Sequence, residues 1–414
     1  MSKLGFAVIG LGSRGLSMIK SCLVHFDNIE FRGLCDLYED RVEEAANFIK
    51  EQRGEEPFTT TDYREILKRD DIQVVYIPTA WETHIEIAIA AMKAGKVTAC
   101  EVGGSYSIDE CFELVKTQES TGVPFMLMEN CCYDKSELFA TSMARAGKFG
   151  TVVHCEGAYA HDLRKEVTHG NIKRHYRLRN YTLRNCDNYP THDLGPIARL
   201  LNINRGNKLV SLVSVASKSC GLEEYVEENK LYEQDPTLKG RKFAQGDIVT
   251  TIIKCAGGET ITLTLDTTLP RSYDRKFNIR GTKGSYSMTS NTVFLDGMKE
   301  FWDPVAYARE SIDNATEYYE EYLPDVWYNM TDEQRKRGHG GMDGIMFDAF
   351  LKAVENNEPM PIDVYDAATW MCISALSERS IAEGGSVQQI PDFTNGKWVI
   401  REPKDVMTLG KKKA

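Results

Sequence analysis

Gly10-Leu11-Gly12-Ser13-Arg14-Gly15 carries the sharpest chemical signal in the chain. Its G-x-G-x-x-G spacing follows the apolar run Phe6 to Ile9 and precedes Leu16, Ile19, Cys22 and Leu23 at helical intervals. That pattern reads as a strand, a tight turn and a helix. Gly10 permits the turn, Gly12 lets a pyrophosphate approach the backbone, and Gly15 lets the helix pack close to the strand. The helix N-terminus adds free N–H groups and partial positive charge. A second apolar run, Phe31 to Cys35, ends in Asp36, about twenty residues after the last glycine, where a dinucleotide site places its acid. A carboxylate there accepts from ribose hydroxyls and repels a 2′-phosphate. Leu37 and Tyr38 bring no immediate arginine, so NAD is expected over NADP.

The elements that must position this turn repeat as βα units, which implies a parallel sheet with helices on both faces. Strands are expected at Phe58-Thr59, Val74 to Ile77, Val97 to Cys100 and Phe125 to Met128. Ligands of such sheets bind beyond the carboxyl ends of the strands. Ser13, Arg14, Trp81, His84, Glu101, Val102, Glu129 and Asn130 lie at or just after those ends and form a candidate cofactor rim. Trp81 reads equally well as a core residue. From Thr151 the pattern changes. Extended runs at Val152 to Tyr159, Leu209 to Ser217, Asp247 to Lys254, Thr260 to Thr267 and Phe277 to Gly281 suggest an antiparallel sheet. Asp162 to Asn188 is basic, aromatic and irregular. Helices are expected at Met342 to Ala353 and Tyr365 to Ala382.

The fold class is therefore α/β: an N-terminal Rossmann doubly wound parallel sheet, plus a C-terminal α+β domain with a large, mostly antiparallel open sheet. The expected division is 1–128 for the NAD-binding domain and 129–414 for the substrate domain, whose tail packs back on the first.

Bulk properties narrow the function classes. The 414 residues are 42% hydrophobic and 27% charged, a globular balance, and no apolar run approaches the roughly 20 residues of a membrane span. The first residues belong to the expected strand, so no secretory signal is expected ahead of it. A formal charge of −11 disfavours nucleic acid, and the basic Lys411-Lys412-Lys413 reads as a solvated end. Eleven cysteines, an odd count with no signal peptide expected, suggest reduced thiols in a cytoplasm, and since none forms C-x-x-C no metal is expected.

Glu101 at a strand end and His192 in a second, open-sheet domain resemble the Gfo/Idh/MocA oxidoreductases. Two positions depart from their usual pattern. Glu101-Val102-Gly103 stands where most members carry Glu-Lys-Pro, and Asn188-Tyr189-Pro190-Thr191-His192 keeps the histidine of Asp-x-Gly-x-His but not the aspartate. These departures resemble the NAD-dependent, alpha-N-acetylgalactosaminidase-like glycosidases of glycoside hydrolase family 109. The likeness rests on Ser13-Arg14-Gly15, Cys100-Glu101-Val102, Met128-Glu129-Asn130 and Tyr159-Ala160-His161-Asp162-Leu163-Arg164. Tyr189 to His192, Leu194 to Ala198, Asn202 to Asn207 and Gly338 to Asp343 extend it.

The resemblance implies hydrolysis through transient oxidation of the sugar at C3, deprotonation at C2, elimination of the C1 leaving group, water addition and re-reduction by the same NAD. It implies His192 as the base for the C3 hydroxyl and Tyr159 as the base at C2, with Arg164 or Arg177 lowering the phenol from its usual value near 10. Arg177, Tyr189, Thr191, Tyr273 and Glu129 would contact the sugar. Asn130 would hold the nicotinamide amide, and Glu101-Val102 the nicotinamide ribose. A buried structural role competes for His192 and Tyr159, and a solvated basic loop competes for Arg177. A net sugar or cyclitol dehydrogenase and a non-catalytic NAD- and sugar-binding protein are the rival functions. The implied sugar is N-acetylgalactosamine, although Asp193, Thr83 and Asn180 depart from the family at positions that bear on specificity. A small glycoside is the expected partner, and self-association the expected assembly.

Overall fold

The computed structural model describes residues 3–300 and 302–409, so Lys411-Lys412-Lys413 lies outside the described residues. Two compact units emerge: Met1–Tyr133 with Met330–Ala368, and Asp134–Asn329 with Thr369–Ala414.

In the first unit six strands form one wholly parallel sheet: β1 (Leu4–Ile9), β2 (Ile29–Cys35), β3 (Phe58–Thr60), β4 (Val74–Ile77), β5 (Val97–Cys100) and β6 (Phe125–Leu127). Their order is β3-β2-β1-β4-β5-β6. The direction of winding reverses between β1 and β4, which opens a crevice at their carboxyl ends. Residues 5–9 of β1 and all of β4 are buried, as continuous apolar runs require when helices cover both faces. Phe6 meets Phe31 edge to face at 6.2 Å. Tyr76 meets Phe347 edge to face at 5.1 Å. Phe347 comes from the sequence-remote helix Met342–Glu355 and is fully buried, which contributes about 1.5–3 kcal/mol. The helix after β4 starts at Trp81, and in its first turn the Thr83 hydroxyl donates to the Ala80 carbonyl at 3.0 Å.

The second unit is built on eight strands: β7 (Val152–Ala160), β8 (Leu209–Ala216), β9 (Ile248–Cys255), β10 (Thr260–Asp266), β11 (Asn278–Gly281), β12 (Gly284–Ser287), β13 (Thr292–Leu295) and β14 (Gln388–Gln389). Their order is β13-β12-β11-β7-β10-β9-β8-β14, antiparallel except for the central β7–β10 pair. Register separates the two faces. Leu212, Ile253, Ile261, Cys155 and Ile279 align across five strands and are buried. The next row, Val213, Ile252, Thr262, Glu156 and Asn278, is half-buried or exposed. The inner face is covered by the helix Thr191–Leu200, and contact is close because a Cβ on Gly157 of β7 would lie 2.9 Å from the Asp193 Cβ. The stretch expected to be irregular carries three short helices, Arg164–Thr168, Gly170–Lys173 and Arg177–Leu183. Their brevity hides the helical period.

Candidate active site

The cofactor half-site grows out of the turn after β1. Gly10 has φ +108°, and a Cβ there would sit 2.8 Å from the Pro78 carbonyl. At Gly15 a Cβ would fall 2.0 Å from the Gly10 carbonyl oxygen, so only glycine lets the helix Ser13–Ser21 approach this closely. Gly12 differs. The nearest atom to a Cβ there is 3.5 Å away, on Arg41, which leaves this backbone open to a ligand. No side chain caps the helix N-terminus at Gly12, and Ser13 is exposed beside it.

Asp36 closes β2 against the turn. One of its oxygens accepts from the Leu11 N–H at 2.6 Å and the other from the Tyr38 N–H at 3.0 Å. Arg41 lies 3.7 Å from that carboxylate and stacks on the Tyr38 ring at 4.8 Å. The sequence does not mark it as a site residue because it follows Asp36 by five positions, inside the first turn of the helix Glu39–Arg53.

The strand ends supply the rest of this half. Trp81 is buried against Gly103, where a Cβ would meet the indole at 2.6 Å. The His84 Nε2 pairs with the Thr79 carbonyl at 3.1 Å, so Nε2 carries the proton and Nδ1 is an acceptor. Burial pushes His84 below its ordinary pKa, which keeps it neutral, and Nδ1 has no hydrogen-bond partner among the described residues. Glu101, at the end of β5, accepts from the Tyr76 hydroxyl at 2.7 Å and from the Arg14 Nε at 2.9 Å. Val102 is buried next to it. Glu129 accepts from the Cys131 N–H at 3.0 Å, and the Asn130 Nδ2 donates to Asp343 at 2.8 Å. The open backbone at Gly12, the uncapped helix and the orphaned His84 acceptor fit a dinucleotide: the turn would take its pyrophosphate, Asp36 would meet the adenosine ribose, and Glu101, Val102 and Asn130 would face the nicotinamide end.

The candidate sugar half-site, in the second unit, is a cluster of rings. Tyr159 is the penultimate residue of β7, and Tyr189 and His192 flank the start of the helix Thr191–Leu200. The ring centroids are 4.7 Å apart for Tyr159–Tyr189, 4.7 Å for Tyr189–His192 and 5.5 Å for Tyr159–His192. Arg177 sits 5.3 Å over the Tyr189 ring and pairs with Glu166. Thr191 is fully buried, and its hydroxyl has no hydrogen-bond partner among the described residues. Tyr273 is 47% exposed, and its hydroxyl accepts from Arg275 at 3.1 Å.

Electrostatics correct one expectation. Arg164 does not activate Tyr159, because Asp162 takes its guanidinium through bonds of 2.9 and 2.7 Å. Arg177 does pull the phenol down, but burial outweighs it and leaves Tyr159 well above its ordinary pKa. Tyr159 is therefore a neutral phenol. Its hydroxyl lies 3.4 Å from the His161 Nδ1, and His161 meets Tyr273 edge to face at 5.2 Å. Burial lowers the His161 pKa, so its imidazole is neutral and able to accept. His161 stands two residues from Tyr159 on an extended chain, a spacing that puts both on one side and could have signalled the pair. The missing aspartate of the Asp-x-Gly-x-His pattern also has a neighbour. Asp187, one residue before Asn188, is fully buried, and burial raises its carboxyl to about 7.

Among the departures, Asp193 sits in the first turn of the helix Thr191–Leu200 facing Gly157, and Asn180 is buried with its amide donating to the Tyr176 carbonyl at 3.1 Å. A separate cavity of about 450 Å³ lies on the opposite, uncovered face of the sheet, beside His154, Glu156, Asn278 and Arg280, and holds none of the ring cluster.

Comparison with known proteins assigns both halves. Residues 4–129 match the oxidoreductase family with NAD-binding Rossmann fold (Gfo/Idh/MocA), and residues 133–400 match the glycosyl hydrolase 109 C-terminal domain. An alpha-N-acetylgalactosaminidase of Tannerella forsythia is 36% identical over 97% of this chain and 88% of its own length. Another, from Shewanella oneidensis, is 35% identical over 98% and 88%. Among solved structures, levoglucosan dehydrogenase in complex with NADH and levoglucosan superposes with a TM-score of 0.68 at 19% identity, covering 94% of this chain and 100% of that one. The Lactobacillus casei scyllo-inositol dehydrogenase with NAD(H) and scyllo-inositol gives 0.65 at 13%, covering 94% and 99%. At those identities the likeness is one of fold. The two family matches and the full-length relatives together place this chain in glycosyl hydrolase family 109, on the Gfo/Idh/MocA oxidoreductase fold.

Proposed function

We propose that the chain is an NAD-dependent glycosidase that releases a terminal sugar of the N-acetylgalactosamine class. The observation that carries this reading is the Tyr159–Tyr189–His192 ring cluster. The names of the relatives from Tannerella forsythia and Shewanella oneidensis support the sugar class. When bound, NAD supplies a reversible two-electron sink at C3 of the sugar. His192 takes the proton of the C3 hydroxyl and later returns it. With C3 at the ketone level the C2–H bond is acidic, and Tyr159 removes that proton while its own passes to the neutral imidazole of His161. The C1 leaving group departs, water adds, and the same groups act in reverse. Arg177, Tyr189, Thr191, Tyr273 and Glu129 hold the sugar. Val102, where a proton-carrying lysine would otherwise stand, favours this cycle over net dehydrogenation.

The uncovered face of the eight-stranded sheet, where Ile252 and Val215 are exposed, suits self-association. A monomer in sedimentation at working concentration would remove that part.

The decisive test incubates the protein with aryl N-acetylgalactosaminides in deuterated water. Release of the aryl alcohol without accumulating NADH, and deuterium at C2 of the freed sugar, is expected. Stoichiometric NADH without cleavage would replace the proposal with a dehydrogenase, and cleavage without C2 label would sink the elimination route.

A further inference from the structure

Asp343 belongs to the Gly338-His339-Gly340-Gly341-Met342-Asp343 stretch, which the assigned roles leave unused. Its side chain is completely buried in the first unit, yet four polar contacts converge on its carboxylate. Oδ1 accepts from the Arg14 Nη2 at 3.0 Å and from the Asn130 Nδ2 at 2.8 Å. Oδ2 accepts from the Arg14 Nη1 at 3.0 Å and contacts the His339 Nδ1 at 2.7 Å. The chain bends around this group. Gly338, His339, Gly340 and Gly341 all have positive φ, and a Cβ on Gly338 would fall 2.3 Å from the carboxylate. A non-glycine residue at φ +41° is a strained choice that the surrounding structure must impose. Burial alone would raise the Asp343 carboxyl, but Arg14 and His339 more than offset that and hold it well below the usual range, so it is ionised.

An ionised carboxylate only accepts. The Asn130 amide must therefore turn its NH₂ toward Asp343, which makes its acceptor the carbonyl Oδ1, an oxygen with two lone pairs, one of them met by the Cys131 thiol at 3.6 Å. Through Arg14, whose Nε donates to Glu101, the same charge braces the end of β5. We infer that Asp343 is a positioning residue for the nicotinamide end of the NAD site: it sets the amide orientation of Asn130 so that an acceptor, not a donor, meets the nicotinamide carboxamide, and it anchors Glu101 through Arg14. This inference rests on the reading of the first unit as an NAD site. The Arg14 guanidinium is spent on two carboxylates rather than held ready for a phosphate, so the pyrophosphate half of the cofactor depends on the Gly12 backbone and is independent of Asp343.

That separation supplies the test. The full chain, freed of co-purified dinucleotide, is titrated calorimetrically with NAD and separately with ADP-ribose, which lacks nicotinamide. Asp343→Asn should raise the Kd for NAD about tenfold while that for ADP-ribose stays within about threefold. Equal losses for both ligands, or loss for neither, overturn the assignment. The double variant Asp343→Asn with Asn130→Asp transposes donor and acceptor and keeps a buried negative charge beside Arg14. It should restore the ratio of the two affinities to within about threefold of the parent chain, a change smaller than one lost hydrogen bond. It also serves as the test should the single variant not fold. A ratio still lost in the double variant, or failure of both variants to fold, overturns the positioning role. A parent chain that binds neither ligand refutes the NAD reading itself, a different outcome from any of these.

Discussion

The two half-sites hold their working groups by opposite means. In the cofactor half, charge is matched to charge: Arg14 lies between Glu101 and Asp343, with Tyr76 and Asn130 completing the bonds. Those side chains have little freedom, and the ligand surface that remains is backbone at Gly12 and single acceptors such as the His84 Nδ1. In the sugar half, position comes from ring packing. Tyr159, Tyr189, His192, His161 and Tyr273 touch through edges and faces, and the ion pairs beside them, Arg177–Glu166 and Arg275–Glu137, reach the cluster through the Tyr189 ring and the Tyr273 hydroxyl. A pyrophosphate asks for a fixed field, which the open backbone and the uncapped helix terminus at Gly12 supply. The proposed cycle asks instead for groups whose protons move, and the neutral Tyr159 phenol beside the neutral His161 imidazole suits it.

The largest effect should come from His192. His192→Ala removes the proposed proton carrier and should lower turnover by about 10²–10⁴ while leaving NAD affinity unchanged. Turnover of an aryl glycoside and calorimetric NAD binding measure the two quantities. If NAD affinity fell in step with turnover, the division of labour between the units would be wrong.

The cofactor half was largely legible because its determinants are local in sequence. Glycine spacing, two apolar runs and an acid at the second strand end are enough to specify turn, helix and sheet, and Gly10, Gly15 and Asp36 adopt the geometry those rules require. Asp343 was legible only as a family match. Nothing in its neighbourhood announces that a residue more than three hundred positions away will receive Arg14, because that contact depends on where the helix Met342–Glu355 packs. In the sugar half the residues were nominated through resemblance, and their protonation was not readable at all. Arg164 and Arg177 look equivalent in the sequence, yet one is consumed by Asp162 and the other reaches Tyr189, and burial outweighs Arg177 at Tyr159. Desolvation is a property of the packed fold, not of spacing.

A smaller, pH-dependent effect tests the relay from Tyr159 to His161. The folded pKa of His161 lies below the ordinary value near 6.5, so the neutral acceptor is retained above that value and lost only as pH falls through the depressed one. The acid limb of kcat/KM for cleavage should accordingly lie below about 6.5. His161→Phe keeps the ring packing, removes the acceptor, and should cost about 10–10² in kcat while abolishing that limb. An unchanged profile in the variant would assign the limb to another group and leave Tyr159 without its relay.

The smallest effect probes the fixed field of the cofactor half at its other end. Asp36 gives one oxygen to each of two backbone N–H groups, and Arg41 is within 3.7 Å. In Asp36→Asn one of those oxygens becomes an NH₂ facing an N–H donor, so one bond is lost and the repulsion of a 2′-phosphate disappears with the charge. Arg41, released from its carboxylate partner, is then placed to receive such a phosphate. NAD affinity should fall about tenfold, the worth of one charge-assisted hydrogen bond, and NADP affinity should rise toward it. Competition between the two dinucleotides measures the ratio directly. If NADP stayed excluded, discrimination would rest on the shape of the turn rather than on the Asp36 charge, and the cofactor half would owe less to electrostatics than its ion pairs suggest.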